Sequence, residues 1–379
     1  MRLIVATSSY PTRTDEAVNA GVFVRDIVAE LIAQGHSVHV LTPEKGEPVT
    51  ESPAPVHTFR WGGTEKVLTR LDPRRPSDIL RLGRAMLGGR LALRRLIAEA
   101  QADAVLAMWA VPAGFWASGL NRPYVVWVLG SDIWGAGKYP LGRSIVRGVL
   151  LRAGHIFSDG LKLGEDVKRL TGRASEFLPS CRQLPVQNTP PAWLSRDRAQ
   201  FLFIGRWDRV KGVDTLLDAM DILSGRMPQA HLHLFGGGPL EAEIQRRAGQ
   251  GRLRECVTVH GYADPVTAAA YLKACDALVI SSRIESIPLV YSDALQCGCP
   301  VVSTDVGDLG QLIRRQGTGV VCSSNSPDEL AEAMGRIAAD RPGLRARYAE
   351  ALSRAAAMFN PGRSAARCAE VLADLGRCA

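Results

Sequence analysis

The 379-residue chain predicts an α/β protein of two doubly wound parallel-sheet domains, and three observations carry that expectation. Strand-like apolar runs alternate with helix-like periodic runs throughout, the pattern of parallel strands joined by crossover helices. The alternation falls into two series, separated by the aperiodic, proline-rich segment Leu178-Pro-Ser-Cys-Arg-Gln-Leu-Pro-Val-Gln-Asn-Thr-Pro-Pro191, which reads as a linker. The length itself exceeds what a single core comfortably serves. The domains expected are residues 1–190, residues 191–360 and a last helix, 361–379, after the break at Asn360-Pro-Gly362.

The first series opens at once with the strand Leu3-Ile-Val-Ala6 and a polar loop. A helix from Gly21 to Gln34 follows, with Phe23, Ile27, Val28, Leu31 and Ile32 on one side. Gly35 stops it, and Val38-His-Val-Leu41 is the next strand. Ala104 to Met108 and Tyr124 to Leu129 read as later strands of the same sheet. The second series runs through Gln200–Ile204, His231–Phe235, Val257–Val259, Ala277–Ile280 and Val301–Ser303, then a helix near Pro327 to Ala339.

Composition narrows the class. An apolar fraction of 46% with 22% charged residues is ordinary for a globular protein, and no apolar run is long enough to span a bilayer. The strand at the very N-terminus does not read as a secretion signal. All eight cysteines lie at or after Cys181 without metal-ligand or secreted-framework spacing, which points to reduced thiols, a cytoplasmic protein and no zinc. The net charge of +8 is unevenly placed: Arg60, Lys66, Arg70, Arg74, Arg75, Arg81, Arg84, Arg90, Arg94 and Arg95 cluster with few acids among them. Ile79, Leu80, Leu82, Met86, Leu87, Leu91, Leu93 and Leu96 are interleaved. That mixture fits a helix or helix pair on an anionic membrane, hence a peripheral protein of the inner face; a solvated basic face over a buried stripe fits it equally. Nucleic acid is disfavoured, because no aromatic residues are interleaved and no recognition motif accompanies the patch.

The chemistry concentrates between Ser282 and Thr304. After a strand comes a loop bearing Glu285, then Pro288 in the expected first turn of a helix, where its missing N–H costs nothing. The helix carries Asp293, Gly298 ends it, and Pro300-Val-Val-Ser-Thr304 is the next strand. Free N–H groups at such a helix start suit a diphosphate, and carboxylates accept the hydroxyls of a sugar or ribose in strong charge-assisted bonds. Upstream, Arg206 and Lys211 share a short loop flanked by Gly205 and Gly212, an arrangement able to hold a leaving diphosphate. Spacing alone leaves these as solvated side chains just as well.

The stretch resembles the signature of the retaining glycosyltransferase family 4, Glu-x7-Glu followed by a small-residue turn and Pro-Val-Val, with Asp293 here in place of the second Glu. Six further segments resemble the family in the right order: Tyr10-Pro11 with Gly21-Val-Phe-Val-Arg25 and Gly35–Val40; Ala107–Gly114; Leu129-Gly-Ser-Asp132; Phe203–Asp214; Phe235-Gly-Gly-Gly-Pro239; and Val259-His-Gly-Tyr262. The resemblance implies a GT-B architecture, two facing Rossmann-like domains with a cleft between them, and a terminal helix crossing back to the first. It implies a hexosyltransferase using a UDP- or GDP-type sugar as co-substrate, with no metal and no other cofactor, and a saccharide or lipid-linked acceptor, as in surface polysaccharide or glycolipid synthesis. Glu285, Arg206, Lys211 and Asp132 become the catalytic set. Gly21, Gly205, Gly236, Gly237, Gly261, Tyr262, Ser286, Ile287, Pro288, Leu289 and Asp293 become the donor-binding set. Asp132 reads equally as a helix cap, Trp109 as a sugar platform or a buried aromatic, and Gly236–Pro239 as a plain turn. The chain departs from the family at Leu129, where a histidine is usual, at Ser286 for a glycine and at Gln311 for an acid. The rival readings are a sugar-nucleotide epimerase or phosphorylase on the same fold, and a membrane-surface binding protein that has lost turnover.

Overall fold

The structure, a computed structural model, describes residues 1–11, 21–44, 52–63, 71, 75–135, 137, 139–185 and 197–377. It divides into two compact units, Met1–Arg182 with Asn360–Ala379, and Gln183–Phe359.

In the first unit the strands β1 (Arg2–Ala6), β2 (Ser37–Pro43), β3 (Val56–Phe59), β4 (Ala104–Met108), β5 (Tyr124–Val128), β6 (His155–Ser158) and β7 (Glu176–Phe177) form one sheet in the order β3-β2-β1-β4-β5-β6-β7. Every pairing is parallel. β4 and β5 are buried at every position, as strands covered by helices on both faces must be. The last helix, Pro361–Arg377, belongs here: Ser364, Ala365, Cys368, Ala369 and Leu372 make its buried stripe, at helical spacing. Arg367 grips Glu176 with two bonds of 2.7 and 3.0 Å, and Gln34 Nε2 donates to Gly362 O at 2.9 Å.

The second unit holds β8 (Ala199–Arg206), β9 (Ala230–Gly237), β10 (Val257–Gly261), β11 (Ala277–Ile280), β12 (Val301–Ser303) and β13 (Gly319–Val321), ordered β10-β9-β8-β11-β12-β13 and again parallel. Both sheets repeat one Rossmann-like order, with a reversal between β1 and β4 in the first and between β8 and β11 in the second. Such reversals open a crevice beyond the carboxyl ends of the strands.

Some expectations shift. The join between units falls at Arg182 and Gln183, earlier than 190/191. The start of the proline-rich segment is packed, with Leu178, Cys181 and Leu184 buried, while 186–196 lie outside the described residues. The short strands β3, β6, β7 and β13 carried no pattern distinct enough to read, because runs of two to four residues show no periodicity. Among the described residues the basic region forms one helix, Pro76–Glu99; Lys66, Arg70 and Arg74 lie outside the described residues.

Candidate active site

Two loops meet at the β8/β11 switch point. The first, leaving β8, carries Arg206 and Lys211; the second, leaving β11, carries Glu285. Lys211 Nζ forms an ion pair with Glu285 Oε2, and Ser282 Oγ lies 3.4 Å from the same oxygen. Oε1 of Glu285 has no partner among the described residues, so it stays available to accept a hydroxyl. The loops are joined through their main chains: Ser281 Oγ donates to Lys211 O at 2.9 Å, and Arg283 N donates to Val210 O at 2.7 Å. Arg283 also takes Asp214 in two bonds, 2.7 and 3.1 Å, and Thr215 Oγ1 at 2.6 Å. Burial pushes the Asp214 carboxyl up, but the Arg283 bonds and charge outweigh it and hold it below its ordinary value.

Gly212 makes this junction possible. It sits at φ 64°, in the left-handed region, and a Cβ there would stand 1.9 Å from Ser281 O. Only a residue without a side chain lets the two loops close. The two cations take different carboxylates: Lys211 pairs with Glu285, whereas Arg206, 53% exposed, reaches Asp208 at 3.3 Å. Asp208 also accepts from Lys211 N at 2.9 Å. Sequence reasoning missed Ser281 and Arg283, whose roles rest on contacts across some seventy positions, and also Asp208 and Ser282, whose partners Lys211 N and Glu285 lie only three positions away but meet them through the turns of the two loops.

Beyond Glu285, Ser286 and Ile287 are buried and the helix runs Leu289–Gln296 with Pro288 as its cap. Pro288 therefore precedes the helix and does not stand within its first turn; its extended backbone, ψ 142°, makes it the entry residue. Asp293 is fully enclosed, 0% exposed, so a donor reaches it only by uncovering it. On the other side, Gly236 lies against Gly205 in the β8/β9 register, at φ 143°, with room for no Cβ beneath the Gly205 carbonyl. Gly237 is covered by the half-exposed ring of Tyr262, and Gly261 faces open space. Trp207 fills the gap below, its indole N–H without an acceptor among the described residues.

Gly21 and Asp132 belong to the first unit. Gly21 caps the helix Val22–Ala33, and a Cβ there would stand within 3 Å of the Ser9 and Tyr10 main chain. Trp109, just past β4 at the β1/β4 switch point, holds φ 72° and meets Phe23 edge-on with centroids 6.0 Å apart. A bulky residue at that φ is strained, which keeps Trp109 a candidate platform.

Asp132 departs from expectation. It does not open outward: it is 3% exposed and accepts from the main-chain N–H groups of Ala110 at 2.7 Å, Ile133 at 3.1 Å and Leu129 at 3.3 Å. It clips the segment after β4 to the turn after β5, a structural role. Burial pushes its carboxyl up to about 6, against the pull of those N–H bonds. Since the folded value lies above the ordinary 3.8, the stability linked to this proton is full below about pH 4 and is lost as pH rises through about 6. Relative to Asp132→Asn, which does not titrate, the wild type should lose about 2 kcal/mol from about pH 4 to about pH 7. Urea unfolding of both proteins at the two pH values checks this; parallel changes would remove the linkage.

The fold is that of the GT-B glycosyltransferases. It is similar over 100% of both chains to sucrose-phosphate synthase from Thermosynechococcus elongatus, with a TM-score of 0.81 at 20% identity. It is similar over 99% of the chain and 100% of the other to Anabaena HepE in complex with UDP-glucose, with a TM-score of 0.75 at 17% identity. In sequence, residues 20–179 match the glycosyl transferase 4-like domain and residues 188–355 the glycosyl transferases group 1 domain. The chain belongs to the GT4-type glycosyltransferases. Among curated relatives, a D-inositol 3-phosphate glycosyltransferase of Xylanimonas cellulosilytica is 32% identical over 47% of this chain and 43% of its own. An alpha-D-kanosaminyltransferase of Streptomyces kanamyceticus is 29% identical over 41% of this chain and 40% of its own. The matched stretch thus spans less than half the length of these relatives.

Proposed function

We propose that the protein is a retaining, metal-independent hexosyltransferase that moves a sugar from a UDP- or GDP-type donor to a saccharide or lipid-linked acceptor, in surface polysaccharide or glycolipid synthesis. One observation carries this reading: the Lys211–Glu285 pair at the β8/β11 switch point, on loops hydrogen-bonded to each other. Lys211, with Arg206 and the main-chain N–H groups at the start of the helix Leu289–Gln296, would stabilise the departing diphosphate. Glu285, through Oε1, would hold the sugar hydroxyls and is the acid a donor meets before the enclosed Asp293. Transfer on the front face lets the leaving phosphate oxygen take the acceptor proton, so no separate base is needed. The UDP-glucose in Anabaena HepE supports a uridine donor.

The membrane part of the proposal rests on the helix Pro76–Glu99. Its buried stripe is Ala85, Gly89, Leu93 and Leu96, which leaves Ile79, Leu80, Leu82, Leu87 and Leu91 exposed beside Arg84, Arg94 and Arg95. A solvated basic face gives no account of exposed leucines; an anionic leaflet does, each arginine near it adding on the order of 1 kcal/mol. On this reading the enzyme works at the cytoplasmic face of a membrane, where a lipid-linked acceptor is at hand.

The test is release of free nucleoside diphosphate from a set of UDP- and GDP-sugars with a saccharide acceptor, followed by NMR of the product's anomeric centre. Activity should survive EDTA, and the product should keep the donor's configuration. Activity abolished by EDTA and restored by magnesium or manganese would replace this leaving-group scheme with a metal-assisted one. An inverted product would remove the retaining mechanism.

A further inference from the structure

Arg283 bonds the loop after β8 on both sides of Lys211. Its main-chain N–H donates to Val210 O at 2.7 Å, and its guanidinium donates to Arg209 O. Past Lys211 and Gly212, the same guanidinium takes both oxygens of Asp214, at 2.7 and 3.1 Å, and Thr215 Oγ1 at 2.6 Å. Asp214 and Thr215 stand in the first turn of the helix Val213–Arg226, where the helix dipole also favours an acid. One side chain thus ties down the residues before and after Lys211 and leaves the Lys211 ammonium to Glu285. Arg283 itself stands two positions before Glu285, on the loop leaving β11. Nη1 serves Arg209 O and Asp214, and Nη2 serves Asp214 and Thr215. Both terminal nitrogens of the planar fork are therefore committed inside the protein, and Asp214 offsets their charge.

These bonds leave the guanidinium little to offer a diphosphate, and no bond joins it to Lys211 Nζ or to the Glu285 carboxylate among the described residues. Its effect on transfer has to pass through the two loops it joins. We infer that Arg283 is a positioning residue: its clamp on residues 209–215 fixes where the Lys211 ammonium stands relative to Glu285, and so relative to the leaving diphosphate. This rests on the roles proposed above for Lys211 and Glu285 and adds the group that sets their separation. The clamp needs an arginine for a geometric reason. Lysine keeps the charge, but an ammonium has no fork to hold a carboxylate by two parallel bonds while meeting a carbonyl and a hydroxyl on either side. Gly212 lets the two loops approach; Arg283 holds them there.

The experiment is a double-mutant cycle on the full chain: Arg283→Gln, Lys211→Ala and the two together. It reads kcat and donor KM with a nucleotide sugar that the wild type turns over, and UDP affinity by calorimetry, at a temperature where melting shows every variant folded. Arg283→Gln should lower kcat by about 10- to 100-fold, the scale of a displacement of up to about 1 Å at reacting groups. Donor KM should change by less than about threefold, because Lys211 acts on charge that develops in the transition state. UDP carries that charge in full, so its affinity should fall by about tenfold, the loss of a charge-assisted contact. In the Lys211→Ala background the same change should cost less than about twofold in either quantity. Arg283→Lys should behave like Arg283→Gln. Arg345→Gln is the control for stability alone: Arg345 bonds the carbonyls of Leu272, Cys275 and Gly298, away from both loops, and its loss should lower the melting temperature with kcat unchanged. Equal losses from Arg283→Gln with and without Lys211 would overturn the positioning role and leave the Lys211 assignment standing. Wild-type kcat in Arg283→Lys would show that the charge matters and the clamp does not. If Lys211→Ala keeps both kcat and UDP affinity, the leaving-group reading falls and this inference falls with it.

Discussion

Replacing Lys211 with alanine should lower turnover by about 100-fold or more, the usual cost of removing one preorganised group that stabilises developing charge. The melting temperature should stay close to that of the wild type. Lys211 is 30% and Glu285 16% exposed, and theirs is the only ion pair Lys211 makes among the described residues; losing one partner of such a partly buried pair should cost roughly 1–2 kcal/mol, between the cost for surface and for buried pairs. The bonds that hold the loop are main-chain ones, Lys211 N to Asp208 and Lys211 O from Ser281, and alanine keeps both. The measurement is kcat at saturating donor beside a thermal melt. A near-normal kcat with a donor the wild type turns over would show that Lys211 does not meet the diphosphate.

Gly212→Ala should be damaging in both respects. The left-handed φ of 64° costs an L residue roughly 1–2 kcal/mol, and a methyl group there would stand 1.9 Å from Ser281 O, far inside van der Waals contact. Since that contact is with main chain, relief requires the loop after β8 to move away from the exit of β11. The adjacent Lys211 moves with it, and a displacement of about 1 Å at reacting groups is enough to cost about 100-fold in rate. We therefore expect turnover to fall about as far as in Lys211→Ala, with roughly 2–4 kcal/mol of stability lost as well. Gly251→Ala is the control: its φ of 54° is also left-handed, but a Cβ there meets nothing within 4 Å. It should lose roughly 1–2 kcal/mol and keep its activity. If Gly212→Ala keeps wild-type kcat, the two loops are not the coupled unit described here.

The two alternating series, the strands Ala104–Met108, Ala277–Ile280 and Val301–Ser303, and the helix Pro327–Ala339 could all be read directly. Parallel strands covered on both faces must be apolar throughout, and helices between them must carry one apolar stripe, so each element announces itself in a short window. Arg206, Lys211 and Glu285 were visible for a related reason: charged residues between apolar strands and glycines have nowhere to be but at a strand end. Asp132 looked the same in sequence, an acid at the end of the β5 run, and its inward turn was hidden. Whether such a carboxylate faces out or clips a neighbouring segment depends on the Ala110 N–H, twenty-two positions away, and no local pattern encodes that.

By itself, then, the sequence determined the fold class, the doubling of the sheet and the residue types at each strand end, because those follow from periodicity and composition over a few residues. Only the tertiary structure decided the pairings. It joined Lys211 to Glu285 and sent Arg206 to Asp208, closed the loops over Gly212, enclosed Asp293 and left five large apolar side chains of the helix Pro76–Glu99 in the open. Each of these depends on which segments the strand order brings together, and parallel crossovers bring together residues far apart in the chain. Burial and partner choice are properties of that assembled neighbourhood, so they appear only when the chain is folded.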